Sequence, residues 1–479
     1  MSRRPLIERA IAGTTDRLGA GHGVSKALRK VFPSHFSFLW GEIALYSLVV
    51  LIITGVFLTF LFEPTQQPVV YEGEYHLLDG VTMSAAYRSV IVISHDTRGG
   101  LLIRQTHHWA ALVFVAAIVL HLGRVFFTGA YRRPRDLNWI VGCCLLLLAL
   151  GAGFTGYSLP DDLLSGTGLR ITDGIILSIP LIGERLSSIV FGGEWPGQDV
   201  VGRIYPVHVM IIPALIVGLL AAHLGIVWRQ KHTQFPGPGR TEDNVIGEPV
   251  WPRFAMKSIG LMFITAGMIT VLGALLTVNP VWHYGPYAPG AATSFAQPDW
   301  YIGFLEGAVR LFPPWELRVG DYQIPAPFFG GVVVAGVIFG TLFAVPYLDR
   351  RFTGDHDDHN LLDRPRDAAG RTAAGAAGFS VMVVLFIGGA QDVVAGVANV
   401  SVGHVTTVLQ IGILVVPPLT WWITRQLCRS LAQRPSPGRT ERSIVISRSP
   451  SGGYDAAPVD DPEVRDTAAA DRDTAEAGR

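Results

Sequence analysis

Residues 104–124 read RQTHHWAALVFVAAIVLHLGR, and residues 206–228 read PVHVMIIPALIVGLLAAHLGIVW. Each is an apolar run long enough for a hydrocarbon layer, which takes roughly 20 helical residues, and each carries a histidine near both ends. Ionisable side chains inside such runs are costly, so four at matched spacing call for a chemical reason. His107 and His121 are 14 residues apart, and His208 and His223 are 15 apart. At about 100° and 1.5 Å per residue, each pair returns to within about 40° or 60° of one helix face, its members about 21 to 23 Å apart. Two such helices facing one another offer two opposed imidazole pairs, one toward each side of the membrane. A haem iron takes two axial ligands of this kind, so the pattern predicts two stacked b-type haems held without covalent attachment. His108, 13 residues before His121, falls about 220° from it, nearly on the opposite face, which makes His107 the expected ligand.

The rest of the chain agrees with a membrane setting. Of 479 residues, 49% are hydrophobic and only 16% charged, with a mean hydropathy of +0.37; soluble domains carry roughly 25% charged residues. Lys+Arg and Asp+Glu both number 38, leaving no net charge with which to hold a nucleic-acid backbone. The three cysteines, Cys143, Cys144 and Cys428, have no spacing suited to an iron–sulfur cluster or to covalent haem. Eight apolar runs stand out: Phe38 to Phe62, Thr106 to Thr128, Trp139 to Tyr157, Pro206 to Trp228, Ile259 to Val278, Pro327 to Leu348, Ala376 to Ala395 and Val405 to Ile423. The expected fold is therefore an all-α membrane protein with eight transmembrane helices, the first four forming a dihaem-binding bundle. Residues 1–37 are basic and have no apolar core of signal-peptide type. With the N-terminus inside, the inner connections hold more than twice as many Lys and Arg as the outer ones, which predicts cytoplasmic N- and C-termini. The expected organisation is a basic segment (1–37), a dihaem bundle (38–230), a cytoplasmic linker (231–258), a second four-helix region (259–424), and a largely disordered tail (425–479).

Glycines and arginines extend the histidine pattern. Gly41 and Gly55 on the first run, like Gly142 and Gly156 on the third, are 14 apart, where a missing side chain would admit a flat macrocycle. Arg104 and Arg203 fall at the outer end and Arg124 at the inner end, where guanidinium groups could pair with haem propionates. The outer connections also carry structure. Ile171, Ile175, Ile176 and Ile179 have helical spacing and precede Pro180, predicting a short helical hairpin lying on the membrane face. Residues 279–326 are rich in Pro, Gly and aromatic residues. Within them Asp299 is suited to accept a proton, and Glu306, seven residues on, could share its face of a short helix.

Together RQTH and HLGR on the second run, GYSLP closing the third, the paired histidines of the fourth and QPDWY after the fifth resemble the cytochrome b subunit of quinol:cytochrome c oxidoreductases, the cytochrome bc complexes. HFSFLWGEIALYS, SLPDDLLSG and FPPWE resemble its actinobacterial branch in particular, which uses menaquinol and forms a supercomplex with an aa3-type oxidase. The resemblance runs from about Phe36 to Thr424. It implies that His107 and His208 ligate an outer, low-potential haem and that His121 and His223 ligate an inner, high-potential one. It further implies that Asp299 and Tyr301 line an outer quinol-oxidising site, with Lys257 at an inner quinone site. The partners it implies are a Rieske iron–sulfur subunit and a cytochrome c subunit, in a homodimeric complex of the bacterial cell membrane. Asp299 stands where the family's glutamate is usual, and Ser258 where mitochondrial relatives carry aspartate; His232 or Arg229 are candidates to supply the inner proton instead. Two other readings share some of these features: a dihaem anchor for a dehydrogenase, against which the long PDWY-containing connection argues, and a secondary transporter, which needs no haem.

Overall fold

The computed structural model describes residues 27–197, 200–291, 297–433, 444–448 and 454–458. In chain order its helices are α1 (Leu39–Thr59), α2 (Ala85–His95), α3 (Gly100–Phe127), α4 (Asp136–Ser158), α5 (Leu163–Leu177), α6 (Gly183–Phe191), α7 (Val200–Gln230), α8 (Ala255–Leu275), α9 (Val281–Tyr284), α10 (Gly303–Leu311), α11 (Phe328–Thr353), α12 (Ala369–Gly389), α13 (Gln391–Ala398) and α14 (Val402–Gln433). Eight of them, α1, α3, α4, α7, α8, α11, α12 and α14, are long and apolar enough to cross a membrane. They match the eight runs expected from the sequence, and the chain is an all-α, multi-pass membrane protein.

The small strands are all antiparallel pairs outside these helices. Val31–Phe32 (β1) pairs with Glu248–Pro249 (β4) ahead of α8, and Pro68–Val70 (β2) with Thr82–Ser84 (β3) between α1 and α2. Leu317–Val319 (β5) pairs with Tyr322–Ile324 (β6). In the tail expected to be disordered, α14 continues to Gln433, and Ile444–Arg448 (β7) pairs with Tyr454–Pro458 (β8). The rest of that tail, and residues 1–26 of the basic N-terminal segment, lie outside the described residues.

Several boundaries differ from the sequence reading for identifiable reasons. Gly99, at φ 76°, starts α3 six residues before Thr106, so Arg104 and Gln105 belong to the helix rather than to the loop before it. The fourth span begins at Val200, and Pro206 lies inside it instead of opening it. The fifth ends at Leu275: Leu276 is extended, and Asn279 takes φ 44°. The seventh stops at Gly389, and Gln391 and Asp392 open the separate helix α13, where the acid at the first turn is favoured by the helix dipole.

α1 packs on α3, α4 on α7, and α8 lies against both α1 and α3. A core of Ala44, Leu48, Phe114, Val115, Ala117, Leu146, Ala149, Leu150, Ile212 and Ile216 fills the middle of the first four spans. The second half is built on α12, which packs on α14 and on α10. Gly307 and Gly389 allow that approach, because a side chain at either would overlap the backbone of the facing helix. Between α4 and α7, α5 and α6 form the expected helical hairpin around Pro180. The Asp162 side chain caps α5 by accepting from the Leu164 N–H, and the hairpin ends at Gly192, φ 82°.

Candidate functional site

The four histidines come together as two pairs between α3 and α7. The ring centres of His107 and His208 are 6.4 Å apart at 77° to one another, and those of His121 and His223 are 6.4 Å apart at 72°. Metal–imidazole bonds run to about 2.0 to 2.1 Å, and two of them end to end, with half a ring at either side, span a distance of this size.

The unequal sequence spacings are reconciled by the backbone. Around Val207–Ile211 the helix opens into one wider turn, in which the Ile212 N–H donates to the Val207 carbonyl five residues back. Such a turn holds one extra residue, so the 15-residue interval on α7 covers about the same rotation as the 14-residue interval on α3. Pro206 and Pro213 flank the turn, and neither can donate a backbone hydrogen bond to hold a regular one.

Neighbouring groups orient the rings of His107 and His208. Thr54 Oγ1 is 2.9 Å from His107 Nδ1, and the Ala152 carbonyl is 3.0 Å from His208 Nδ1, which leaves Nε2 of each ring free to take a metal. Each predicted glycine lies beside one of these rings: Gly55 beside His107, Gly156 beside His208, Gly41 beside His121 and Gly142 beside His223. A Cβ on Gly156 would come within 2.5 Å of His208 Cε1, and on Gly41 or Gly55 within 3.2 Å of a ring atom. On Gly142 it would sit at an ordinary 3.8 Å, so that glycine is the least constrained of the four.

Nε and one terminal nitrogen of both Arg104 and Arg124 are buried and have no hydrogen-bond partner among the described residues. Buried guanidinium groups in that condition suit an anionic ligand. Arg203 is not brought to the same place. It is exposed and donates to the Ile189 carbonyl at the end of α6. Glycine clefts, paired imidazoles and unsatisfied guanidiniums together fit the flat, iron-bearing, acid-substituted group expected from the sequence.

A cavity of about 290 Å³ joins the outer histidine pair to the loop after α8. His107, His208, Gly55, Gly156 and Arg104 line one part of it, and His108, Asn279, Asp299 and Tyr301 line another. Asp299 is only 8% exposed. Its carboxylate accepts from the Tyr301 hydroxyl at 2.9 Å and from Asn279 Nδ2 at 3.3 Å, and His108 Nε2 lies 2.9 and 3.0 Å from its two oxygens. Burial, and then the Asp299 carboxylate beside it, raise the Tyr301 phenol well above its usual value. Gly153 makes room for that phenol, since a Cβ there would overlap its ring. The loop is held to α3 by Gln105, whose amide exchanges two hydrogen bonds with the Val278 backbone, and by Trp109, which donates to the Leu276 carbonyl.

Glu306 does not line this cavity. It lies on α10, paired with Arg310, which also binds Asp392 at 3.0 Å. Its second oxygen is buried without a partner, and burial pushes its carboxyl up to about 7 despite Arg310. At the inner end Lys257 is largely exposed and pairs with Glu248 at 2.6 Å. Ser258 donates to Glu42 at 2.5 Å and also contacts Tyr46, so a carboxylate from α1 reaches this position. His232 packs against Phe32 and Phe38, and burial holds its imidazole down, to about 4.

Sequence reasoning missed Asn279, Gly153 and any role for His108. The signal for His108 was available: next to His107 on a helix, it must point about 100° away, toward whatever packs on that side of α3.

The cytochrome b(N-terminal)/b6/petB family matches residues 112–286. The chain is 46% identical over 458 residues to the cytochrome bc1 complex cytochrome b subunit of Mycobacterium tuberculosis, covering 94% of this chain and 83% of that one. It is 46% identical over 435 residues to the corresponding subunit of Corynebacterium efficiens (90% and 80%) and 44% over 457 residues to that of Streptomyces coelicolor (94% and 83%). Among solved structures, a chain of a hyperthermophilic respiratory Complex III matches with a TM-score of 0.62 at 18% identity, covering 87% of this chain and all of that one; this likeness speaks for the fold alone.

Proposed function

This chain belongs to the cytochrome b family, with actinobacterial cytochrome bc1 complex subunits among its relatives, and from that premise we propose that it is the cytochrome b subunit of a respiratory quinol:cytochrome c reductase. The substrate is a quinol, menaquinol by resemblance, oxidised at the outer cavity. One electron goes to a separate partner and the other crosses the membrane inward to a second quinone site. The partner must be separate because this chain has no cysteine set for an iron–sulfur cluster. By resemblance it is a Rieske protein, followed by a cytochrome c subunit, in a homodimeric complex that associates with an aa3-type oxidase. The complex sits in the bacterial cell membrane with both termini of this chain in the cytoplasm.

The observation that carries the reading is the junction of two kinds of site in one cavity: the outer imidazole pair, and the buried Asp299–Tyr301 pair beside it. His107 with His208, and His121 with His223, would hold two b haems, each a reversible one-electron carrier when bound. Arg104 and Arg124 would pair with their acidic substituents, and the four glycines would leave room for the rings.

The chain's own residues then handle the protons. Oxidising a quinol releases two protons that an apolar pocket cannot take up. Asp299 is buried at the cavity and takes the first. Tyr301 keeps its own proton, because burial and the neighbouring carboxylate disfavour phenolate, and it orients the acceptor by donating to it. Glu306, with a carboxyl that titrates near 7, carries protons onward to the outer surface. At the inner end Lys257 offers a positive charge to the reduced quinone. The test is replacement of Asp299 by Asn in the assembled complex: steady-state quinol oxidation should fall while the reduced b-type absorption remains.

A further inference from the structure

His108 has no place in haem ligation, yet it lines the cavity, half-buried, and makes the most symmetric contact that Asp299 has. α3 turns two consecutive histidines to two sides of one cavity: His107 toward Gly55 and His208, and His108 toward the loop after α8. Its Nε2 sits 2.9 Å from Oδ1 and 3.0 Å from Oδ2, bridging both oxygens in a way that no single-oxygen donor can. Tyr301 reaches only Oδ2, and Asn279 reaches only Oδ1, at the longer distance of 3.3 Å. An Asp side chain has two rotatable bonds. Tyr301 and Asn279 each fix one oxygen from the connection after α8, whereas His108 holds the plane of the whole carboxylate from a membrane-spanning helix.

We propose that His108 is a positioning residue for quinol oxidation: bridging both oxygens of Asp299, it fixes the carboxylate in the orientation that faces the quinol in the cavity. The proposal rests on the reading of Asp299 as the proton acceptor. It also accounts for the use of aspartate in this loop. A residue with a shorter reach is sufficient where an imidazole meets it from α3.

The test uses the intact complex with His108→Leu, which removes the donor, and His108→Gln, whose amide nitrogen can reach the position of Nε2. His108→Asn is a polar variant too short to reach and serves if the leucine variant does not assemble. Four quantities are measured: the reduced-minus-oxidised b-haem spectrum, kcat and KM for quinol, and the infrared carboxylate band identified by its loss in Asp299→Asn. The leucine and asparagine variants should keep both b haems, lose about 10- to 100-fold in kcat with little change in KM, as expected for a misplaced reacting group, and shift the Asp299 band. The glutamine variant should restore most of the rate and the band position. Loss of the outer haem in His108→Leu, an unshifted band with an unchanged kcat, or failure of glutamine to rescue would each overturn the proposal. If Asp299→Asn itself turns over normally, the acceptor reading falls instead, and the infrared band still reports whether His108 sets the carboxylate.

Discussion

The His208 ring lies 6.4 Å, centre to centre, from that of His107, in register across the gap between α3 and α7 because the wider turn at Val207–Ile211 takes up one residue of α7. The same register places His223 at 6.4 Å from His121. The two ring pairs lie at separate levels of one pair of helices, and as haem sites each should be removable without the other. Replacing His121 or His223 by Leu should abolish the inner b-type absorption and leave the outer haem reducible by quinol for a single event. Visible spectra of the variants, taken during one-turnover reduction, check this.

The glycine clefts predict a graded effect of added bulk. Gly156→Val should eliminate the outer haem, since even a Cβ comes within 2.5 Å of His208. Gly142→Ala, with 3.8 Å to the nearest ring atom, should be tolerated. Haem content per polypeptide, measured for both variants, distinguishes a steric role for these glycines from general helix packing.

A pH dependence follows from Glu306. Burial raises its carboxyl from the usual 4.5 to about 7, so it is mostly neutral below that pH and charged above it. Only the charged form accepts a proton, and quinol oxidation should rise as pH increases through about 7, a limb that Glu306→Gln should remove. Stability moves the other way. The folded chain holds this proton more tightly than the unfolded one, so the contribution is complete below about 4.5 and is lost as pH rises through about 7. Rate–pH profiles of the two proteins are the check.

Asp299→Asn keeps the volume and one accepting oxygen but cannot take a proton. Turnover should fall about 10²- to 10⁴-fold, the usual cost of losing an acid–base group, with both haems retained. For the inner site, Lys257→Met should slow reoxidation of the inner haem and leave reduction of the outer one unchanged, as followed by stopped-flow absorbance.

Much of this was legible in the sequence because the bilayer enforces it. An apolar run of about 20 residues has few alternatives to a spanning helix, and His107 with His121 could be paired from the pitch of a regular helix. The α7 pair was read 60° out of register, because nothing in the spacing reveals a wider turn; Pro206 and Pro213 were its only signal. Span ends were harder, since Gly99 and Leu276 act through local backbone conformation and not through hydropathy. The outer site was half legible. Asp299 and Tyr301 stand two apart in one motif, but His108 and Asn279 lie 191 and 20 residues from Asp299 and meet it only through the packing of the loop on α3. Arg203, expected at the same end as Arg104, is exposed and donates to the Ile189 carbonyl near the end of α6, a partner that its place in the sequence does not reveal.

The central claim is that two imidazole pairs on α3 and α7 hold two distinct redox centres joined to a quinol-oxidising cavity. A redox titration of the complex in membranes, followed by visible absorption, tests it most directly. Two resolved b-type transitions are predicted, of which His208→Leu removes one and His223→Leu the other. A complex with no reduced b-type band, or with a single transition that either variant abolishes entirely, would contradict the account.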